Sequence, residues 1–478
     1  MKRVLVLSLV LGGCVYGRGH RAEEPFDTEL EWSHGGEASA APTAGPSASL
    51  DTGSPWWRVF GNAELDRLER MAVDGALDLR AAEARVLRSR ALATQAQAAR
   101  YPSIGLGASA SRNRSISPVG GAVDSRIASV SLPISWELDL FARRANEAHA
   151  ARLGARASEA DRDALALSLS AEVADAYFDL LEVRSQRVLL EEDRDADRRT
   201  RELVSLRFTR GLSTAVDVEE ARQQEVADDA QLSLLGSAET SARLRLAALL
   251  GLRPSLLPTA REQALPQAPS SFASEIRANM LTGRPDVRAA RLRVSSVDSS
   301  VGAAIAARLP TIQLTFTPGY SALHSQSSFG SGSAAGTSYA AAVSLNAPLF
   351  DGFLGRGRVD EQRARLLEAE ANYERTLIGA LVEVESTLAL ERDERAHHQA
   401  LRRSVDVAGR LLSAAQDRFR LGLSDFLPVL GALRGRTTAR LALLASDRRL
   451  LALRVTLHRA VGGPLPDSAS PPNPEQEP

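Results

Sequence analysis

A stretch of 56 residues, 155–210, contains neither glycine nor proline. Alanine, leucine, arginine and glutamate dominate it, and these residues favour a helix at most positions. With the residues just before it, the pattern predicts one continuous helix over 140–209, roughly 100 Å long at 1.5 Å per residue. Because an isolated helix is only marginally stable in water, this one needs neighbours along its length. We therefore expect a chain built from a few very long elements.

A short motif at the end of this run occurs a second time. Residues 207–213 read RFTRGLS and residues 418–424 read RFRLGLS, at an offset of 211 residues (418 minus 207). The similarity extends into the flanking sequence on both sides, as in an internal duplication. We therefore expect two copies of one structural unit, at 56–253 and 271–463, joined by a Pro- and Ala-rich linker at 254–270.

Each unit also contains segments in which apolar and polar residues alternate, as in a strand with one apolar face. The residues that share such a face are Val130, Leu132, Ile134 and Trp136 in the first unit and Ile312, Leu314 and Phe316 in the second. The Ser- and Gly-rich stretches 112–125 and 318–337 are predicted to be exposed loops between the strands. Each unit thus predicts a helix, two strands around a loop, a very long helix, a break and a second long helix.

The chain begins with features of an exported lipoprotein. Residues 1–13 combine a basic start with a short apolar run, which is typical of a signal peptide and too short for a permanent membrane helix. Cys14, the single cysteine, directly follows small residues, as in bacterial lipoproteins. An unmodified cysteine in an ordinary signal peptide is the alternative. The composition of 14–55 predicts an extended tether, and that of 464–478 a disordered tail.

The expected location of the protein limits the structures that the strands can form. By resemblance to bacterial lipoproteins, Val15 lacks the aspartate associated with inner-membrane retention, which favours the outer membrane. A bilayer accepts β-structure only as a closed barrel, since an open edge leaves backbone groups unpaired. Four strands per chain are too few, because a barrel needs about eight or more. Three copies would supply twelve strands. A sheet lying on the helices of a soluble α+β domain is the alternative.

The repeated motifs interrupt the long helices in a way that local chemistry explains. Each contains a glycine suited to the left-handed position after a helix C-terminus, Gly211 in the first copy and Gly422 in the second. The residues that could cap the returning helices are Ser213 or Thr214 in the first copy and Ser424 or Asp425 in the second. Thr214 and Asp217 approximate a capping box. Pro428 suits the first turn of a helix that starts at Asp425. Each motif therefore predicts a helical hairpin.

Three further stretches, taken with the paired motifs, resemble a known family. They are WWRVFGNAELDRLERMAVDGALDLRAAEAR near the N-terminus, GRPDVRAARLRVSSVDSSVGAAIAARLPTIQL in mid-chain and LFDG at 349–352. Over about 55–462 the chain is similar to outer-membrane efflux factors of the TolC/OprM type, in their NodT-like lipoprotein branch. The resemblance implies an α+β membrane protein with an internal two-fold repeat. In it, a trimeric, twelve-stranded outer-membrane β-barrel (four strands per chain) continues into a long periplasmic α-helical barrel.

The resemblance also implies roles for the hairpin tips. They would form the closed periplasmic end and contact a periplasmic adaptor through Gly211, Leu212, Ser213, Gly422, Leu423 and Ser424. Relatives often carry aspartates just beyond these turns that narrow the pore, and the candidates here are Asp217 and Asp425. A ring of three carboxylates would attract cations. For Asp217, a capping role at the helix N-terminus is an equal alternative. Pro428 and Gly431 stand where relatives often have acidic or polar residues, which argues against a strong acidic gate.

The function that the resemblance implies is that of the outer-membrane channel of a tripartite efflux system. The channel would be a passive conduit for small molecules such as drugs or metal ions. Its implied partners are two more copies of the chain (a homotrimer), a periplasmic adaptor, an inner-membrane pump of the RND type and outer-membrane lipid. No cofactor is implied. The alternatives are a channel for type I secretion and a structural coiled-coil lipoprotein without a pore.

Composition and residue placement argue against other classes. A net charge of −1 and the lack of a basic patch do not favour nucleic acid as a partner. The adjacent His397 and His398 cannot project from one helix face as a metal-binding i, i+4 pair does. Gly355 and Gly357 lack the third glycine and the strand context of a nucleotide-binding loop. We therefore expect neither an enzyme nor a metal site.

Overall fold

A computed structural model of the protein describes residues 55–117, 121–257, 264–269, 279–327 and 330–463. The predictions for the signal peptide, Cys14, the tether up to residue 54 and the tail at 464–478 lie outside these residues. So do 258–263 and 270 of the predicted linker. The described residues form two compact units. The first contains Arg85–Glu159 and Ala289–Glu374, and the second contains the remainder. Each unit takes residues from both sequence repeats.

The sheet of the first unit consists of four antiparallel strands, two of which are interrupted. The segments are β1 (Ser103–Ile104), β2 (Gly107–Ser117), β3 (Gly121–Ser131), β4 (Ile134–Leu138), β5 (Thr311–Ser327) and β6 (Gly330–Asn346). β3 and β4 form one strand broken at Pro133, because β5 pairs with both of them. β1 and β2 form another strand, broken at Gly105, because β1 pairs with β4 and β2 pairs with β3. The order across the sheet is β1/β2, β3/β4, β5, β6. The prediction of four strands per chain is confirmed.

The prediction that 112–125 and 318–337 are loops is wrong. β2 and β3 pair from Gly107 opposite Ser131 to Ser117 opposite Gly121. β5 and β6 pair continuously up to Ser327 opposite Gly330. Serine and glycine have low strand preference, so their abundance indicated loops. Cross-strand backbone hydrogen bonds form whatever the side chain, and they continue the ladder through these residues.

One face of the sheet is apolar, as predicted. Residues directly opposite in an antiparallel pair lie on the same face. We call the following residues the apolar face: Val130, Ile134, Trp136, Ile312, Leu314, Phe316, Tyr320, Tyr339, Val343 and Leu345. Tyr339, Val343 and Leu345 are each more than half exposed, so none of the described helices covers this edge of the face. The opposite face is polar; Ser109 and Ser129, for example, share a hydrogen bond of 2.8 Å. The exposure argues against a sheet packed on the helices of a soluble domain.

Eight α-helices occur among the described residues. They are α1 (Ala63–Gly75), α2 (Leu77–Ala98), α3 (Arg143–Thr209), α4 (Ala215–Leu249), α5 (Asn279–Gly283), α6 (Pro285–Ala306), α7 (Leu354–Arg420) and α8 (Leu427–Ala460). Each of α3 and α7 has 67 residues, which corresponds to roughly 100 Å of helix. Both begin and end 211 residues apart (354 minus 143, 420 minus 209). The very long helix and the internal repeat are therefore confirmed. None of the described helices has both the length and the apolar content needed to cross a membrane.

The turn from strand to long helix is also duplicated. Ala142 and Phe353, again 211 residues apart (353 minus 142), both have positive φ, at 57° and 69°. This conformation is uncommon for residues with a side chain. At the first of these turns, the side chain of Asp139 accepts hydrogen bonds from the backbone N–H groups of Arg144 and Ala145 at 3.0 and 2.7 Å. These contacts place the start of α3 at Arg143, three residues after the predicted start at 140.

The core of the second unit is aromatic at one end. A short 3₁₀ helix, Trp56–Phe60, packs against α3, where the Phe60 and Phe178 rings lie 5.1 Å apart. Trp56 stacks on His458 of α8 at 5.5 Å and donates a hydrogen bond to the Ser170 hydroxyl at 3.0 Å. The 3₁₀ helix therefore contributes its aromatic side chains to the same buried core as α3, α4 and α8.

Candidate functional site

The two Gly-Leu-Ser motifs end α3 and α7 with the same backbone geometry. Gly211 and Gly422 have φ of +71° and +74°, as predicted for the left-handed position after a helix. The N–H groups of Leu212 and Leu423 donate to carbonyl groups five residues earlier, each at 2.9 Å. The glycine N–H groups donate to carbonyls three residues earlier, at 2.9 and 3.0 Å. This pair of bonds is a Schellman motif, and it satisfies the last carbonyls of each helix.

The first tip carries the predicted capping box. The Asp217 N–H donates to Thr214 Oγ1 at 3.2 Å, and the Thr214 N–H donates to Asp217 Oδ2 at 2.7 Å. The Ser213 hydroxyl donates to the same oxygen at 2.8 Å. Burial acts to raise the pKa of Asp217, but hydrogen bonds from Thr214 and Ser213 outweigh it and lower the pKa. Asp217 is therefore an ionised cap, and its role as a gate stays a prediction.

The second tip lacks this cap, and the predicted helix start at Asp425 is wrong. α8 begins at Leu427, with Phe426 at the N-cap position and no side-chain hydrogen bond to the helix. Phe426 is almost fully buried and contacts the Phe419 ring at 5.7 Å, so its packing moves the start by two residues. Asp425 is exposed. Pro428 lies in the first turn of α8, as predicted.

Ser424 does not cap α8 either. Among the residues that the structure describes, its hydroxyl oxygen is buried and has no hydrogen-bond partner. The two tips therefore share their helix ends but differ in how the returning helix begins.

An arginine that the sequence reasoning did not single out joins the two tips. Arg207 donates to the carbonyl oxygens of Arg420 at 3.1 Å and Leu212 at 3.4 Å. Its guanidinium carbon lies 4.6 Å from the centre of the Phe419 ring, within the range of a cation–π contact. The motif itself held the signal, because Arg-Phe occurs in both copies. Arg207, near the end of α3, thus bonds to the last residue of α7 and to the turn that follows α3.

The tips expose a group of apolar side chains, which we call the tip surface. Its members are Leu212, Val216, Leu421, Leu423 and Leu427, and each is more than half exposed. Below them, Val204, Phe419, Phe426 and Val429 form a buried cluster that holds the two hairpins together. The predicted contact residues Leu212 and Leu423 are therefore both exposed leucines at tips that this cluster packs together.

Behind the tips, α8 is bonded to α3 through a buried carboxylate. Asp193 accepts hydrogen bonds from Arg436 at 2.8 Å, Thr437 at 2.6 Å and Arg440 at 2.8 Å. Its side chain is only 3% exposed. No sequence pattern indicated this contact, because Asp193 and its partners are separated by more than 240 residues along the chain.

A pair of buried carboxyl groups lies one turn further along α3. Asp197 and Asp228 of α4 are both buried, and one oxygen of each has no hydrogen-bond partner among the described residues. Burial, followed by repulsion from Asp228, raises the pKa of Asp197 to about 7. Burial also raises the pKa of Asp228. With a pKa of about 7, Asp197 is protonated below this pH and loses its proton as pH rises through it, so that repulsion within the pair grows.

The described residues contain no group of three or more His, Cys, Asp or Glu placed to hold a metal ion. The candidate functional surfaces are instead the exposed amphipathic sheet and the two packed helical tips. Paired very long hairpins with such a sheet define the class of outer-membrane channels with long helical extensions.

The family follows from comparison with known proteins. The family model described as "Outer membrane efflux protein" matches residues 69–252 and 277–463. The chain therefore belongs to the outer membrane efflux protein family and is an outer-membrane protein.

Two relatives are alike over nearly their full length. The pyoverdine export outer membrane protein OpmQ of Pseudomonas putida is 30% identical over 442 residues, which is 88% of this chain and 92% of that protein. The outer membrane protein OprJ of Pseudomonas aeruginosa is 30% identical over 481 residues, or 96% and 95% of the two chains. Names of other relatives refer to toluene and antibiotic efflux pumps.

Solved structures show the same fold. The outer-membrane channel OprN superimposes with a TM-score of 0.80 at 26% identity, covering 94% of this chain and 99% of that one. The outer membrane protein VceC of Vibrio cholerae gives a TM-score of 0.77 at 27% identity, with 86% and 100% covered. The α+β fold of four strands and long helical hairpins is that of these channels.

Proposed function

We propose that the protein is the outer-membrane channel of a tripartite efflux system. Three copies would close a twelve-stranded barrel, and the helical hairpins would extend into the periplasm. The channel would be a passive conduit for small molecules, energised by an inner-membrane pump of the RND type. Cys14 would carry the lipid anchor. Because relatives are named for pyoverdine, toluene and antibiotics, the relatives favour small molecules as a class rather than one substrate.

The observation that carries the proposal is the pair of open edges on an amphipathic sheet. β1/β2 and β6 each pair on one side only among the described residues. Their other backbone groups need partners, and in a bilayer only another strand can supply them. Joining the β6 edge of one copy to the β1/β2 edge of the next places the apolar face towards lipid and the serine-rich face towards the lumen.

The proposal is tested with the purified full-length protein. Native mass spectrometry in detergent should give the mass of three chains, and the same sample should conduct ions in planar bilayers. A monomer would overturn the barrel. A trimer without conductance would favour the structural lipoprotein, and co-purification with a type I secretion transporter would favour the secretion channel.

The tip surface is the proposed contact with a periplasmic adaptor. Its leucines are exposed on a base that the buried cluster holds in place, and apolar side chains of this kind favour docking over solvation. The six residues at or beside the contact are Gly211, Leu212, Ser213, Gly422, Leu423 and Ser424.

We predict that a photoreactive amino acid at Leu423 forms a crosslink to a membrane fusion protein in intact cells. The same group at Val226, an exposed position on α4 outside the tips, is the control and should give none. Crosslinks of equal yield from both positions, or a partner that is not an adaptor, would remove the tip surface from the contact.

We also predict that Asp217→Ala raises the conductance of the closed channel. Alanine cannot accept the hydrogen bonds from the Thr214 N–H and the Ser213 hydroxyl, and loss of these capping contacts costs about 1 kcal/mol, which is roughly a fivefold change in a closed–open equilibrium. Asp425→Ala is the matched variant, because Asp425 is exposed and does not cap α8. It should lower cation preference and leave the closed state as stable as before. If neither variant changes conductance or ion selectivity, both residues are excluded from the constriction.

A further inference from the structure

A row of basic side chains crosses the sheet beyond the apolar face. Arg112 lies opposite Arg126, and Arg126 lies opposite His324 of β5. Arg126 is four residues from Val130, and His324 is four residues from Tyr320. Since side chains alternate with a period of two, the row lies on the same face as the apolar residues. It is therefore continuous with the surface that the proposed barrel turns towards lipid.

The row carries net positive charge. Arg112 donates to the carboxylate of Asp124 at 2.9 and 3.1 Å, and Asp124 lies opposite Arg114 in the next pair. Three arginines and one aspartate leave two positive charges (3 minus 1). Arg114 and Arg126 make no ion pair with any residue in the described part of the chain. His324 shares a hydrogen bond of 2.8 Å with Ser333.

The position along the strand places the row at the level of lipid headgroups. From Ile312 to His324 there are 12 residues of β5, or about 40 Å at 3.3 Å per residue. With a strand tilt of about 40°, this is roughly 30 Å along the barrel axis. The apolar band of an outer-membrane barrel is about 25 Å tall. The row therefore lies just past the hydrocarbon, at the hairpin end of the sheet, away from the strand ends that lead into the helices.

The opposite face at this level does not share the charge. Between the same strand pairs it presents Ser111, Ile127, Leu323 and Ala334. The charges therefore do not line the proposed lumen, where they would act on passing ions. Because the charges lie on the face proposed to meet lipid and not on the opposite face, they favour a ligand in the membrane over a solute in the pore.

We propose that Arg112, Arg114, Arg126 and His324 form a binding site for the phosphate groups of an anionic glycolipid in the outer leaflet. The orientation of the site rests on the proposed function. A guanidinium group presents a planar fork of donors that matches phosphate oxygens. The two unpaired arginines supply the net attraction, and the Arg112–Asp124 pair fixes the site beside them.

The test measures lipid retained by the full-length trimer. Wild-type protein in nanodiscs with lipid A carrying both phosphates is compared with nanodiscs of dephosphorylated lipid A, by native mass spectrometry. Arg114→Gln with Arg126→Gln removes both unpaired charges and leaves the Arg112–Asp124 pair intact. At about fivefold per arginine near a charged membrane surface, we expect roughly 25-fold weaker retention of the phosphorylated lipid. The double lysine variant should recover part of it.

Controls separate this proposal from the channel itself. Arg358→Gln, which removes an exposed arginine on α7, should retain lipid as the wild type does. Each variant is first shown to be trimeric and conducting, so failure of the channel proposal would appear there. A conducting trimer that retains both forms of lipid A equally, or a double glutamine variant that binds like the wild type, would overturn the lipid site.

Discussion

Replacing Asp193 with alanine should destabilise the packing of α8 on α3 by about 3 kcal/mol. Breaking a buried ion pair by removing one partner typically costs about 3–5 kcal/mol. We expect the lower end, because the side chains of Arg436 and Arg440 are 24% and 29% exposed and can regain some hydration. Hydrogen exchange of the α8 backbone amides measures the change, and 3 kcal/mol corresponds to roughly 100-fold faster exchange.

The same substitution should also change the channel. Asp193 bonds α3 to α8, the two helices that lead towards Gly211 and away from Gly422. Without it, the tips have fewer contacts that keep them in one arrangement, and we expect higher and noisier conductance in planar bilayers. Asp193→Asn should give a smaller effect, because its amide oxygen can still accept the hydrogen bond from Thr437.

A neighbouring aspartate provides the control for this prediction. Asp195 lies two residues away on α3, is 57% exposed and forms an ion pair with Arg194 at 3.2 Å. Exposed pairs of this kind contribute about 0–1 kcal/mol, so Asp195→Ala should leave exchange in α8 nearly unchanged. If Asp193→Ala and Asp195→Ala behave alike, the bonds to Arg436 and Arg440 do not stabilise the helix pair.

Much of the fold could be read from local patterns. The absence of glycine and proline predicted α3, the duplicated motif predicted both turns, and Thr214 with Asp217 predicted the capping box. Each of these depends on residues within a few positions of one another. Helix ends and caps are set by such short-range bonds, so sequence reasoning is strong there.

The errors arose where distant residues decide the outcome. The strand residues at 112–125 and 318–337 are polar and small, and only pairing with neighbouring strands makes them extended. The start of α8 is an exception, because Phe426 packs on Phe419 only seven residues before it (426 minus 419). The contacts of Arg207 and Asp193 join repeats that lie more than 200 residues apart. No local pattern could have identified these partners.

The buried pair of Asp197 and Asp228 makes stability depend on pH. In the folded protein the pKa of Asp197 is raised to about 7, against an ordinary value of 3.8. Between about pH 4 and pH 7, the folded state therefore holds a proton that the unfolded chain has lost. Stability is greatest at the acidic end of this window, falls as pH rises through it and levels off above pH 7. Asp193 adds to the repulsion, and Arg436 on α8 partly offsets it.

Asp197→Asn should therefore stabilise the protein clearly more at pH 8 than at pH 5. Asparagine is neutral at both values and can donate to Asp228, as the protonated acid does. A shift from 3.8 to about 7 corresponds to at most about 4 kcal/mol. Because Asp228 shares the proton, we expect a gain of about 2 kcal/mol. Hydrogen exchange in α4 should slow roughly 30-fold at pH 8, after correction for the intrinsic rate.

Asp229→Asn is the matched control, because Asp229 follows Asp228 in α4 and is 61% exposed. It should change stability by a few tenths of a kcal/mol at either pH. An equal gain from Asp197→Asn at pH 5 and pH 8 would contradict a proton shared in the native state, because it would place the benefit in packing. A loss at pH 8 would mean that the ionised Asp197 is favourably bound. The pH dependence of this one variant therefore decides whether the carboxyl pair between α3 and α4 is protonated in the folded protein below about pH 7.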